Sequence, residues 1–140
     1  MDLAPLDSLD AAGLLARQEA VLLRRRGVEV EDLQVVARWA VLHESDPRDV
    51  RVFGDRLVQV GGDGTPRVRE FCLAELATVR RVHPISCQKT VADVLDLRHR
   101  LPLTWALVES LDAEAWVARR VAAMTRSLPV AVVGVVDAAV

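Results

Sequence analysis

The spacing of apolar side chains constrains this chain more than any other feature of its sequence. In the segment 30–44 they recur every three or four residues, at Leu33, Val36, Ala37, Ala40 and Val41. This interval matches the 3.6-residue turn of an α-helix and places the side chains on one face. Strand patterns, in which polar and apolar residues alternate, are nearly absent. The sequence therefore predicts an all-α fold, a compact domain of about six or seven helices that spans residues 1–140.

Capping residues, glycines and prolines predict where the helices begin and end. Asp7 or Ser8 caps a first helix that Gly27 ends, because glycine is common just beyond a helix C-terminus. A second helix, 30–44, is followed by one long loop over residues 45–65, in which Leu57 to Val60 form a short extended piece. The remaining predicted helices cover 65–80 (begun by Thr65-Pro66), 84–100, 103–110, 112–126 (capped by Asp112) and 130–140.

The charge is small overall but unevenly distributed. The net charge of −2 does not indicate binding to a polyanion by bulk charge. Residues 67–100 carry seven basic and four acidic side chains, a net +3, whereas the rest of the chain carries eleven basic and sixteen acidic ones, a net −5. A modestly basic segment thus lies within an acidic chain.

The composition also indicates a genome and a compartment. Lys89 is the only lysine, and tyrosine is absent. Residues with AT-rich codons are depleted, which indicates a GC-rich, actinobacterial genome. The N-terminal residues lack the basic and apolar segments of a signal peptide, and the longest apolar run, 128–136, is shorter than the ~20 residues that span a bilayer. We therefore expect a cytoplasmic protein with Cys72 and Cys87 as free thiols and no membrane partner.

Residues capable of catalysis or metal binding are present but scattered. Two cysteines and two histidines have spacings that match no standard zinc site: Cys72, His83, Cys87 and His99. Asp93 and Asp96 share a helix face three residues apart, a pattern common on solvated surfaces. The glycines at 61–64 precede a predicted helix but lack the Gly-Lys-Ser/Thr of a Walker loop, so we expect a flexible connector. The sequence predicts no catalytic, cofactor-binding or metal site.

The segment 77–90 has the pattern of a helix-turn-helix. In such hairpins the first side chains of the second helix read base edges in DNA. Arg81 takes the place where glycine usually forms the turn, so an ordinary helical hairpin is the alternative. The basic cluster 98–100 ends the same helix, where cations also favour the helix dipole. The candidate nucleic-acid-binding residues are Arg80, Arg81, Ser86, Gln88, Lys89, Arg98 and Arg100.

Several short blocks occur in a fixed order along the chain. They are Gly64-Thr65-Pro66, Glu70-Phe71, Glu75-Leu76-Ala77, 92–97, 98–102, 116–122, Thr125, Leu128 and Val136-Asp137. In this combination the chain resembles the actinobacterial domain of unknown function 222, a mycobacterial repeat family, over most of residues 7–140. Domains of that family commonly stand N-terminal to an HNH endonuclease domain. The resemblance implies a helical domain that helps a nuclease to engage DNA or a partner.

Nuclease activity itself is not carried over to this chain. The family's full domain is longer, and HNH chemistry needs a metal held by histidines and a general-base histidine, which no paired histidines here provide. We therefore predict a non-catalytic module that assists nucleic-acid engagement. The alternative is a protein–protein interaction or dimerisation module that does not bind nucleic acid. In either case a second copy or a downstream nuclease domain could cover the apolar segment 130–140.

Overall fold

The structure is a computed structural model that describes residues 4–44 and 54–140. These residues form six α-helices and one two-stranded sheet, so the predicted all-α class is confirmed. After a 3₁₀ turn at Leu6–Ser8 the elements are α1 (Ala11–Leu42), β1 (Leu57–Val58), β2 (Val68–Arg69), α2 (Glu70–Arg80), α3 (Pro84–Arg100), α4 (Pro102–Glu109), α5 (Ala115–Thr125) and α6 (Val130–Ala139). The predicted loop 45–65 lies partly outside the described residues.

Helix α3 is the centre of the domain. Every residue from Thr90 to Leu97 is buried, and the helix packs against α1, α2, α4, α5 and α6. A helix that is buried all round belongs in the middle of a fold, because each of its faces needs a covering element. The start of α3 is different, since only Cys87 is buried before Thr90. The start of α3 is therefore accessible from outside, as are Arg98 and His99 near its end.

The first two predicted helices form one continuous helix, so the prediction that Gly27 ends a helix is wrong. Helix α1 runs through Gly27, whose backbone does not take the left-handed conformation of a C-terminal glycine. A helical glycine costs about 1 kcal/mol relative to alanine, which good helix formers on both sides can offset. The residue that caps the start of α1 also differs from the prediction. Asp10, not Asp7 or Ser8, accepts the hydrogen bond from the Gly13 N–H.

The short extended piece predicted near residue 57 is present and pairs with β2. Leu57 lies opposite Arg69 and Val58 opposite Val68 in an antiparallel register. This pairing corrects the predicted helix start at Thr65-Pro66, because Val68 is extended and α2 begins only at Glu70. The Thr65 hydroxyl instead donates to the Gly62 carbonyl at 2.7 Å.

The C-terminal helices close over one end of α3. Asp137 of α6 is buried and accepts hydrogen bonds from the backbone N–H groups of Leu103 and Thr104, both at 2.9 Å, so it caps the start of α4. The predicted cap at Asp112 is wrong, because Glu114 precedes α5 and no side chain caps that helix. Among the described residues, no helix is long and apolar enough to cross a membrane.

Candidate nucleic-acid interface

Helices α2 and α3 form a hairpin with a tight corner. Arg81 adopts the left-handed conformation, with φ 57° and ψ 43°, at the place where glycine is usual. The Val82 N–H then donates to the Ala77 carbonyl at 3.1 Å and closes the end of α2. His83 caps α3, because its Nδ1 accepts the Ile85 N–H at 3.1 Å, and Pro84 supplies the fixed φ of the first turn. The sequence-predicted start of this helix is confirmed.

Small side chains hold the two helices of the hairpin together. Ala77 and Cys87 are buried, and so is Cys72 one turn and a half earlier on α2. Burial raises the pKa of the Cys72 thiol to about 12, and it raises that of Cys87 as well. Both cysteines are free, as predicted, and both are held as neutral thiols that fill the core. Neither has the electropositive, accessible setting of a nucleophile.

The outer edge of the hairpin carries four of the predicted residues. Arg81, Ser86, Gln88 and Lys89 are all exposed. A shallow hollow of about 230 Å³ lies beside them, and its lining residues are Val60, Ile85, Gln88, Lys89, Ala92 and Arg126. The hollow thus combines two predicted polar side chains with the partly exposed guanidinium of Arg126, which the sequence analysis did not single out.

The other three predicted residues lie elsewhere. Arg80 binds Asp32 of α1 through two nitrogens, at 2.7 and 3.1 Å, and this pair joins α1 to α2. Arg98 is exposed but stands nine residues after Lys89, which places it half a turn around the helix, on the opposite side. It lines a different hollow, of about 400 Å³, with Arg38 and Trp105 among its neighbours.

Arg100 is not a surface residue, so its prediction as a nucleic-acid contact is corrected. Its side chain is fully buried. The guanidinium donates to the carbonyls of Asp63 at 2.6 Å and of Thr125 and Leu128 at 2.8 Å each. Arg100 therefore closes the C-terminal end of α5 and joins it to the loop around Asp63.

Asp93 and Asp96 are buried, so the prediction that they lie on a solvated face is wrong. Arg126 donates to Asp93 at 2.5 Å and to Asp96 at 2.7 Å, and Arg119 donates to Asp93 at 2.8 Å and to Thr90 at 3.0 Å. Burial alone lowers the pKa of the Arg126 guanidinium, but its hydrogen bonds to Asp96 and Asp93 outweigh that effect and raise it. The four charged side chains stabilise the contact between α3 and α5.

A sequence signal for this cluster does exist. Arg119 and Arg126 are seven residues apart, two helical turns, and so lie on one face of α5. Asp93 and Asp96 are three residues apart on one face of α3. Two cation positions on one helix and two anion positions on another could have been matched as facing pairs. The pairing depends on which helices are neighbours, and that information came only with the fold.

The glycine-rich loop 61–64 is a packed element, and the prediction of a flexible connector is wrong. The Gly62 N–H donates to Asp96 at 2.7 Å, and a Cβ on Gly62 would lie 2.7 Å from the Arg100 guanidinium carbon. Asp63 accepts the Val130 N–H at 2.9 Å and so occupies the N-terminus of α6. The anion-binding position at this helix start is filled by the chain's own carboxylate.

The hairpin edge is exposed and carries polar and cationic side chains. Within residues 4–44 and 54–140, no group of three or more His, Cys, Asp or Glu side chains could hold a metal ion. Comparisons with family models, with curated proteins and with solved structures found no match to this chain. The resemblance to the domain of unknown function 222 therefore stays a prediction.

Proposed function

We propose that this chain is a non-catalytic helical module that assists nucleic-acid engagement, and that it contacts nucleic acid through the hairpin edge of Arg81, Ser86, Gln88, Lys89 and Arg126. The observation that supports this most strongly is the exposure of the first residues of α3 beside the hairpin corner. Short polar and cationic side chains at the start of a second hairpin helix suit contacts with base edges and phosphates.

The charge around this edge also favours a polyanion. Residues 76–92 contain no acidic residue, while they include the exposed cations Arg81 and Lys89; Arg80 is paired with Asp32 of α1. The nearest carboxylates of α3 point inward, where Arg119 and Arg126 neutralise them. A phosphate at the edge would therefore meet cations without close like-charged repulsion.

The number of cations predicts the character of binding. Each phosphate contact adds about 0.9 to the slope of the logarithm of affinity against the logarithm of salt concentration. Arg126 is already paired with Asp93 and Asp96, so with Arg81 and Lys89 as the contacting cations the slope should be about 2 in magnitude. Binding should therefore be weak, in the range of non-specific association, and should largely disappear at moderate salt.

The test is fluorescence anisotropy of a short labelled DNA duplex titrated with the protein at about 20 to about 200 mM salt. Lys89→Gln should weaken binding and reduce the slope by about 0.9. Arg98→Gln is the charge-matched control, because it removes one exposed cation from the opposite side of the same helix. No binding at the lowest salt, or equal losses in the two variants, would contradict the proposal for the hairpin edge.

A second variant separates binding from folding. Arg81→Gly removes a cation and also relieves the left-handed strain at the corner, so it should weaken DNA binding while raising the free energy of unfolding. These opposite effects distinguish a contact residue from a residue whose loss simply damages the domain. If affinity and stability change in the same direction, Arg81 has no part in binding.

The alternative, a protein–protein interaction or dimerisation module, uses other surfaces. In α6, Val133 and Asp137 are buried while Val132 and Val135 remain exposed, so only part of the segment 130–140 is left for a partner. A downstream nuclease domain on this segment remains a prediction. Light scattering over a concentration series tests whether the chain self-associates.

A further inference from the structure

The first half of α1 lies outside the core. Helix α1 is 32 residues long, about 48 Å, but none of its residues before Val30 is buried. Near the end of this half, Arg26 donates a hydrogen bond to the Glu114 carboxylate at 2.8 Å. An isolated helix of about fifteen residues is only marginally stable in water. The first half of α1 has about this length, so a partner that covers it would stabilise it.

A stripe of exposed apolar residues follows the whole of α1. We call it the heptad stripe: Leu14, Val21, Val28, Val35 and Leu42. The five side chains stand seven residues apart and are 38 to 65% exposed. Seven residues are close to two helical turns, so the stripe stays on one side and drifts only slightly, as in left-handed coiled coils. Val35 lies between the buried Leu33 and Ala37, about 200° from each, so the stripe faces away from the core.

The charges of α1 are divided between its two halves. Residues 11–26 contain four arginines and one glutamate, a net +3, whereas residues 27–42 contain three acidic residues and one arginine, a net −2. A parallel pair of such helices would place like charges side by side. An antiparallel pair places each basic half beside an acidic half, and so the helix is complementary to itself.

We propose that two copies of this chain associate through α1 in an antiparallel pair centred on Val28. In this arrangement Leu14 faces Leu42 of the second copy, and Val21 faces its Val35. A second copy fits this stripe better than an unrelated partner does, because both the apolar spacing and the charges match after reversal of the helix direction.

The flanking side chains define the register. With Val28 at the centre, Arg24 approaches Glu31 of the second copy, which gives two attractive pairs about the twofold axis. Arg25 approaches Asp32 of the second copy, which already binds Arg80 of its own chain. Near the ends Arg17 approaches Arg38 of the second copy, an unfavourable but solvent-screened pair. The centre of the interface is thus favoured over its ends.

The size of this contact sets the expected strength of association. A stripe of 28 residue steps is about 42 Å long and about 10 Å wide, which gives on the order of 800 Å² summed over the two copies. This is below the roughly 1,000 Å² that a stable specific interface usually exceeds, so we expect a weak, transient dimer that dissociates in the high micromolar range. The proposal concerns α1 and is independent of nucleic-acid binding by the hairpin edge.

The first experiment is sedimentation of the full chain over a concentration series that spans the micromolar range. Val28→Glu places two carboxylates at the twofold centre and should raise the dissociation constant by about a hundredfold. Val135→Glu is the matched control, because it adds the same charge to an exposed valine of α6. Circular dichroism checks that both variants keep their helix content.

Crosslinking tests the orientation. Val21→Cys mixed with Val35→Cys should form a disulfide-linked pair under mild oxidation, whereas Val21→Cys alone should not. Cys72 and Cys87 are buried, and the unmodified chain controls for them. Three results would overturn the proposal: a monomer at all concentrations, loss of the dimer in Val135→Glu but not in Val28→Glu, or crosslinking of Val21→Cys to itself.

Discussion

Replacement of Arg100 by methionine tests whether this arginine stabilises the fold or contacts a ligand. Methionine keeps most of the side-chain volume but removes every donor. The carbonyls of Asp63, Thr125 and Leu128, at 2.6 to 2.8 Å from the guanidinium, would lose that partner inside the protein. Because the side chain is fully buried, no surface effect accompanies the change.

The expected loss follows from these three contacts. A buried polar group left without a partner costs about 1–3 kcal/mol, and three such carbonyls would cost about 3–9 kcal/mol. Water can reach some carbonyls at the end of α5 and offset part of this cost, so we expect a loss of about 3–5 kcal/mol in the free energy of unfolding. Domains of this kind are stable by only about 5–15 kcal/mol, so the variant should be marginally folded.

Urea denaturation measures this loss, with tryptophan fluorescence and circular dichroism as two probes. Arg98→Met is the control, because it removes an exposed cation two residues earlier on the same helix and should change stability by less than about 0.5 kcal/mol. If the free energy of unfolding of Arg100→Met lies within about 1 kcal/mol of that of the unmodified chain, the guanidinium does not hold these elements together. Our interpretation of the buried cluster would then be wrong.

Three further changes test other parts of the structure by the same urea assay. Gly27→Ala should raise stability by up to about 1 kcal/mol, because Gly27 is helical and has open space around it; a loss would support the helix end predicted from sequence. Gly62→Ala should lower stability by about 2–4 kcal/mol, since its Cβ would lie 2.6 Å from the Arg126 carbonyl oxygen, whereas Gly134→Ala has no neighbour within 4 Å and should not destabilise. Burial raises the pKa of the Cys72 thiol from 9.0 to about 12. The folded state therefore holds this proton more tightly than the unfolded state, and its contribution to stability is complete below pH 9 and is lost as the pH rises toward 12. Cys72→Ala should show a smaller alkaline loss, and an equal loss in both proteins would exclude the thiol as the cause.

The sequence predicted the helical hairpin well because local signals decide it. Pro84 begins α3 as expected, and the helix ends at Arg100 before Pro102. Proline acts through its own ring geometry and its missing N–H, so its effect depends little on distant residues. Ser86, Gln88 and Lys89 are exposed because they precede the buried part of α3, and Arg81 is exposed at the corner before it.

The errors lie where tertiary contacts outweigh local preference. Gly27 stays helical although glycine often ends helices, and the residues after Thr65 are extended because β2 pairs with β1. Asp93 and Asp96 have the spacing of a solvated face, yet the arginines that cover them lie more than twenty residues away on α5. The spacing of these charges is visible in the sequence, but no local pattern reports which helices are neighbours, and so the pairing within this cluster and the role of Arg126 could not be predicted.

The carboxylate of Asp137 at the start of α4 has a consequence for synthesis on the ribosome. Leu103 and Thr104 lie 34 and 33 residues before Asp137, and Arg100 lies 28 residues before Leu128, so these hydrogen bonds cannot form until the later residues have been translated. While helix α6 is still inside the ribosomal exit tunnel, the nascent chain lacks the groups that cap the start of α4 and bind the end of α5. Because chains are made from the N-terminus, the domain can complete its fold only after residue 137 has emerged. A protease applied to arrested chains should therefore cut those that stop short of this point much faster than those extended beyond it.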